Sequence, residues 1–214
     1  PHFRIAAARA RALHGLATGS ARVVVASAPA LLPHVSPKAR LLGASTEIRP
    51  GREIAPHDLA ALLVDAGFTR EDPVDEHGEY CVRGGIVDLY PAGDAQPVRI
   101  EFIGDVVESL RRYDPSTQRS VAPLDQLAVV PLREIFDADP ADRRSRPSAS
   151  IFDYVPADAA VYVSEPDEVA TQAARVRDQA AASYAELARA ASSAEPGGRM
   201  PEPAELFADW REIE

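Results

Sequence analysis

The chain has 214 residues, with 33 acidic and 23 basic side chains and a formal charge of −10. Such an acidic surface is poorly suited to wrapping a phosphate backbone, and no apolar run approaches the ~18 residues of a membrane span. A single cysteine, Cys81, excludes an internal disulfide scaffold and fits a reducing cytoplasm. No signal-peptide pattern is visible at the start. The apolar share of 46% and charged share of 26% are those of an ordinary globular chain.

Residues 3–17 read as an alanine- and arginine-rich helix, with Ile5, Ala8, Ala12, Leu13 and Leu16 marking one face and Gly19-Ser20 ending it. Ala21–Ala26 is a short apolar, β-branched run, the pattern of a strand buried on both faces of a parallel sheet. Thr46–Arg49 is a further strand candidate. His57–Ala66 is a helix closed by Gly67. Glu79–Tyr90 reads as a strand interrupted at Gly84-Gly85 by a bulge or a close backbone approach. Pro97–Ile103 alternates cleanly, Gly104-Asp105 is a hairpin turn and Val106–Tyr113 returns. A plain two-residue loop there sets Glu101 against Glu108, a like-charge pair, so a bulge is an alternative register.

Leu127–Pro131 closes this β-rich stretch. Asp137–Ser150, with Arg143-Arg144-Ser145-Arg146, reads as a mobile loop. Ile151–Pro156 reads as a short helical turn and Ala160–Val163 as another buried strand. Val169–Ala191 is a long helix with Val176, Ala180, Tyr184 and Leu187 in helical register, ended by Pro196-Gly197-Gly198. Pro203–Ile213 carries Leu206, Phe207, Trp210 and Ile213 as an amphipathic turn or two. The fold class is α/β: a β-rich module at 45–131 between α/β pieces at 1–44 and 132–214 that hold too few strands for a complete sheet. The sequence therefore reads as a fragment of a longer chain.

Chemistry is sparsely signalled. The one lysine, Lys38, follows no glycine-rich turn, so there is no P-loop, and there is no G-x-G-x-x-G or G-x-S-x-G. The five histidines are scattered, Asp75–Glu79 is expected to be a solvated turn, and Cys81 has no identifiable base. These features point away from an enzyme. The first 44 residues carry Arg4, Arg9, Arg11, Arg22, Lys38 and Arg40 and no acid. Two readings stand for them: pairing with acidic neighbours within the chain, or a local nucleic-acid contact.

Two stretches carry a specific signal. Gly78-Glu79-Tyr80-Cys81-Val82-Arg83-Gly84-Gly85-Ile86-Val87-Asp88-Leu89-Tyr90-Pro91 is followed by Val98-Arg99-Ile100-Glu101-Phe102-Ile103-Gly104-Asp105-Val106-Val107-Glu108-Ser109-Leu110-Arg111. Together they resemble a module of two related bacterial families, the excision-repair helicase UvrB and the transcription-repair coupling factors (Mfd). Leu63–Arg70 fits the same module. Asp114–Ser120, Ile151–Pro156 and Ser164-Glu165-Pro166 resemble the coupling factors more than UvrB.

The resemblance implies an N-terminal, UvrB-like region of a coupling factor, with the module inserted into an incomplete, degenerate RecA-like domain. It implies a partner, the damage-recognition ATPase UvrA, recruited to stalled transcription complexes. By the same resemblance Arg83, Arg99, Glu101 and Ile103 match positions that contact UvrA, with Ile103 where the family often has phenylalanine. No catalysis and no cofactor are implied for this fragment. The full-length family is an ATP-dependent DNA translocase using ATP and magnesium, and meets RNA polymerase and DNA through other regions. Its other domains are candidates for masking the docking face. A monomeric, cytoplasmic, non-membrane protein is expected.

The residues add their own reason. In Val98–Ile103 one face is apolar (Val98, Ile100, Phe102) and the other carries Arg99, Glu101 and Ile103, an apolar centre with a charged rim. Arg83 and Arg99 are expected to face outward, so that replacing either leaves the fold nearly unchanged. The plainer reading makes Arg99 and Glu101 ordinary solvated strand residues. A UvrB fragment or a nucleic-acid-binding domain is the alternative function, although the tyrosine-rich hairpin expected of UvrB is missing from the sequence.

Overall fold

A strict period-two alternation runs through the middle of the chain, and glycine pairs break it at the points where the chain must reverse. In the computed structural model, which describes residues 3–136, 147–191 and 201–210, this pattern becomes a six-stranded sheet. The strands are β2 (Thr69–Arg70), β3 (Glu79–Arg83), β4 (Ile86–Leu89), β5 (Val98–Ile103), β6 (Val106–Tyr113) and β7 (Ser120–Pro123), ordered as in the sequence. β2 runs parallel to β3, and every later neighbour is antiparallel.

The Gly84-Gly85 break is a two-residue hairpin turn between β3 and β4, pairing Arg83 with Ile86, rather than a bulge within one strand. Gly84 adopts φ +59°, a left-handed value that favours glycine. A side chain on Gly85 would lie 3.1 Å from the Phe102 carbonyl, so the expected close backbone approach does occur. The second hairpin resolves its register with a bulge. Ile103 pairs with Val106 and Phe102 with Val107, but Glu101 then pairs with Ser109. Glu108 becomes the extra residue, exposed, and the like-charge pair is avoided.

The apolar face of this sheet packs on α4 (Pro56–Asp65). Leu59 and Leu63 of the helix join Phe68, Tyr80, Val87, Leu89, Val98, Ile100, Phe102, Val107 and Leu110 in one core. A two-stranded antiparallel ribbon, β1 (Thr46–Ile48) with β8 (Leu127–Val129), adds Ile48, Leu127 and Val129 to it. The other face is covered only at one end. There the segment after β2 buries Val74 against Cys81 and Tyr90, and the Tyr113 hydroxyl donates to the Val74 carbonyl at 3.3 Å. Within that segment the turn at Asp75–Glu79 is tied down: the backbone N–H groups of Asp75 and Glu76 donate to the Glu79 carboxylate, and His77 stacks on Tyr90 at 4.1 Å.

Two compact units emerge among the described residues. The first comprises residues 3–15 and 39–134, the second 16–38 with 135–136, 147–191 and 201–210. Helix α1 (Phe3–Thr18) forms as expected, but it buries Ala7, Ala10, Leu13 and Leu16, and Ile5 is exposed. Alanine fits either side of a helix, so the expected face was rotated. Within the first unit Arg9 Nε donates to both oxygens of Glu134 at 2.6 and 2.7 Å, and Arg40 pairs in a two-pronged fashion with Asp65. For these two bases the pairing reading of the basic segment is the one the structure contains.

The second unit contains α2 (Ala28–Leu31), a 3₁₀ turn (Ile151–Tyr154), α5 (Pro166–Ala191) and α6 (Pro203–Leu206). The 3₁₀ turn is closed by a Ser150/Asp153 capping box. The Tyr154 hydroxyl anchors it to the Ser36 carbonyl at 2.6 Å. One core cluster of this unit gathers Ala28, Leu32 and Ala173, with Val169, Val176, Phe207 and Trp210 packed against them, and Val35, Phe136 and Tyr154 are buried as well. The two strands expected here do not form. Val23 and Val25 are 83% and 92% exposed, and Val161–Val163 likewise lies outside any strand and is exposed. A short apolar run specifies a strand only when a neighbouring strand is there to pair with it. The expected loop at 137–146, the Pro196-Gly197-Gly198 stop and Ile213 lie outside the described residues. The chain is thus a mixed α/β protein with one β-rich module.

Candidate functional site

Antiparallel pairing places directly opposed residues on the same face, so register alone assembles the open side of the sheet. One cross-strand row reads Arg83, Ile86, Glu101, Ser109, and the next reads Cys81, Asp88, Arg99, Arg111. Ile103 and Val106 form a third at the hairpin tip. The four residues singled out in the sequence, Arg83, Arg99, Glu101 and Ile103, therefore share one face of three adjacent strands.

The apolar part of this face is Ile103, 66% exposed, with Val106 beside it. Glu101 is held in place: the Ser109 hydroxyl donates to its Oε2, and Arg111 Nη2 lies 3.7 Å from the same oxygen. The arginines are the surprise. Asp88, only 1% exposed, sits between them on the central strand β4. Arg99 engages it with two prongs, Nε to Oδ1 at 2.8 Å and Nη2 to Oδ2 at 2.9 Å. Arg83 Nη2 reaches Oδ2 at 2.5 Å, and its Nη1 reaches Asp72 Oδ1 at 3.0 Å. The Arg99 guanidinium also lies 4.8 Å from the Tyr113 ring centroid and 3.3 Å from Gln118 Oε1.

Arg99 does lie on the open face, but the expectation that replacing it leaves the fold nearly unchanged does not fit this arrangement. It is 18% exposed, against 41% for Arg83, and it neutralises a buried carboxylate. Removing it leaves Asp88 with a single cation, so the residue belongs to the fold as well as to the surface. Electrostatics follow the geometry. The hydrogen bonds that Arg99 donates to Asp88 raise its pKa against the opposing effect of burial. Burial works against the charge of Arg83, but the hydrogen bond and charge of Asp88 outweigh it and its pKa also rises. Tyr113 is pushed well above its usual range by burial and by the Asp88 charge, so it stays neutral. Burial likewise pushes the Cys81 thiol up, which keeps it protonated and unreactive at neutral pH.

Sequence reasoning missed Asp88, Asp72 and Arg111. Asp88 stood inside the recognised Gly78–Pro91 stretch, and its signal was an acid in an otherwise apolar strand, Ile86-Val87-Asp88-Leu89, where a lone carboxylate demands a cation on the next strand. Among the described residues no group of three or more histidines, cysteines or acids is placed to hold a metal ion. None of their helices is long and apolar enough to cross a membrane.

The family model described as the UvrB interaction domain matches residues 46–135. The transcription-repair-coupling factor of Bacillus subtilis (strain 168) is 35% identical over 130 residues, which is 61% of this chain and 11% of the relative. That of Escherichia coli (strain K12) is 33% identical over 141 residues, 66% of this chain and 12% of the relative. The UvrABC system protein B of Gemmatimonas aurantiaca is 35% identical over 95 residues, 44% of this chain and 14% of the relative. The matched part is thus a small fraction of each relative's length. Residues 46–135 thus match the UvrB interaction domain, and the chain is similar to the transcription-repair-coupling factors and to UvrB over that part of their length.

Proposed function

We propose that this chain is the UvrA-docking part of a transcription-repair coupling factor and that the open face of its sheet makes the contact. Arg83, Arg99, Glu101 and Ile103 form the docking residues, and Arg111 joins them. The observation that carries this is the exposed Ile103–Val106 pair at the hairpin tip, on the same face as Glu101 and Arg99, whose side chains are fixed by hydrogen bonds. Exposed apolar side chains next to ordered charged ones suit a specific interface, with most of its energy in a few residues.

The matched family description and the relatives' names favour a role in nucleotide excision repair. A coupling factor is favoured over UvrB because four coupling factors match over 126–141 residues, longer than the 95 and 118 residues matched in two UvrB proteins, while two further coupling factors match over 103. In this reading the chain acts in the cytoplasm as a monomer, binds without catalysis and needs no cofactor of its own. ATP and magnesium serve the whole protein outside this chain, DNA and RNA polymerase engage its other regions, and its other domains are able to mask the docking face. The segments around the module belong to a degenerate RecA-like domain. Calorimetric titration of the chain with UvrA, with and without ATP, tests the reading. Saturable binding of UvrA and no turnover of ATP by the chain is expected, and failure to bind UvrA refutes it.

A further inference from the structure

We propose that Asp88 is a positioning residue for docking, a buried carboxylate that fixes Arg83 and Arg99, from two different strands, as one pre-set cationic pair for a carboxylate-bearing partner surface. This rests on the UvrA reading above and adds to it a residue that never meets the partner. The geometry is specific. Asp88 stands directly opposite Arg99 in the β4–β5 register, and its Oδ2 is shared between Arg99 and Arg83. The Arg99 fork is held along one edge by Asp88 and against the Tyr113 ring, which is itself fully buried and anchored through its hydroxyl to Val74. Arg99 Nη1 takes part in none of these bonds and keeps its donors.

Arginine is the side chain with most rotamer freedom to lose on binding. Ordering it beforehand removes that cost from association. The two acids that touch the pair differ in kind. Asp72 is half exposed and touches Arg83 alone, so a partner carboxylate can displace it; Asp88 is out of reach and stays. A purely structural counter-ion makes the same bonds, so the test must separate the two roles.

The experiment uses the 214-residue chain and its Asp88→Asn variant, with UvrA affinity by calorimetry and the exchange of arginine Nε–H protons by nitrogen-15 NMR. In the parent, Arg99 Nε–H is expected to exchange at least ~10-fold more slowly than that of the half-exposed Arg111. In Asp88→Asn that difference disappears and UvrA affinity falls at least ~10-fold at a temperature where the chain is folded. Placed in an Arg99→Ala background, the same change costs at least ~3-fold less than in the parent, because it acts through the arginine.

Equal exchange of Arg99 and Arg111 in the parent overturns the proposal, even if Asp88→Asn does not fold. So does undiminished UvrA binding by folded Asp88→Asn, or an equal loss in both backgrounds, which makes Asp88 structural only. A parent chain that ignores UvrA overturns the docking function itself, and the exchange pattern still decides whether Asp88 fixes the pair.

Discussion

The two units put similar apolar sequences to opposite fates. In the first, Val98-Arg99-Ile100-Glu101-Phe102 alternates, pairs on both sides and buries its apolar half on α4. In the second, Val23-Val24-Val25 is more hydrophobic and as strongly β-branched, yet it joins no strand and is exposed to solvent, with Val161-Tyr162-Val163 in the same condition. β-propensity describes how a residue fits a pleated surface that already has neighbours. The first unit supplies those neighbours within two short hairpins. In the second, the described residues pair only at the isolated bridges Pro33–Phe207 and Val35–Ala149, and neither valine run takes part in them.

Substitutions in the two units should therefore differ in scale. The largest effect is expected at the core of the first unit: Phe102→Ala removes a buried aromatic from the α4-facing side and should cost about 3–5 kcal/mol in a denaturant titration. A loss below about 1 kcal/mol would mean that the sheet does not depend on that core. Arg99→Ala comes next. It withdraws one of two cations from a buried carboxylate, and a loss of about 2–3 kcal/mol is expected, short of the full effect of stranding a charge because Arg83 remains. A melting temperature equal to the parent's would return Arg99 to the status of a solvated strand residue.

Ile103→Ala should reverse the balance between folding and binding. Its side chain is 66% exposed, so stability should move by less than about 0.5 kcal/mol. UvrA affinity should drop by about 1–2 kcal/mol, read by calorimetry, as an apolar centre loses contact area. Parent-like binding by this variant would move the docking centre elsewhere.

A smaller effect is tied to pH. The hydrogen bond and charge of Arg40 hold the Asp65 carboxyl below its ordinary value of 3.8. A lowered folded-state pKa contributes stability that is present above the unfolded pKa and is lost as pH falls through the folded one. Acid unfolding of the parent should steepen below about pH 4, and Arg40→Ala should flatten that limb by about 0.2–1 kcal/mol, the range for a half-exposed pair. The smallest effect is expected for Val23→Thr with Val25→Thr, within about 0.5 kcal/mol of the parent by thermal melting. A substantial loss there would show those valines to be buried in solution, and the contrast between the units would fail.

The same contrast explains what the sequence disclosed. The hairpins, α4 and the open face were legible because they depend on local signals: alternation, Gly84-Gly85, Gly104-Asp105 and the turn at Gly67. The bulge at Glu101 was legible as a conflict of charge before its position was known. The strands at Ala21–Ala26 and Ala160–Val163 were misread because an apolar run states a preference and says nothing of a partner. The face of α1 was misread because alanine carries little directional information. The role of Asp88 was hidden because it depends on a cross-strand register, through which it meets residues 5 and 11 positions away.

The charges of the open face cancel. Arg83, Arg99 and Arg111 stand against Asp72, Asp88 and Glu101, each cation within reach of an anion. From farther than a Debye length, about 8 Å at physiological salt, such a face presents no net field, while the chain around it carries −10. On the docking reading the face itself adds no steering beyond that range, and any dependence of encounter on ionic strength comes from the −10 of the rest of the chain. Discrimination between partners then resides in how long a complex lasts once formed.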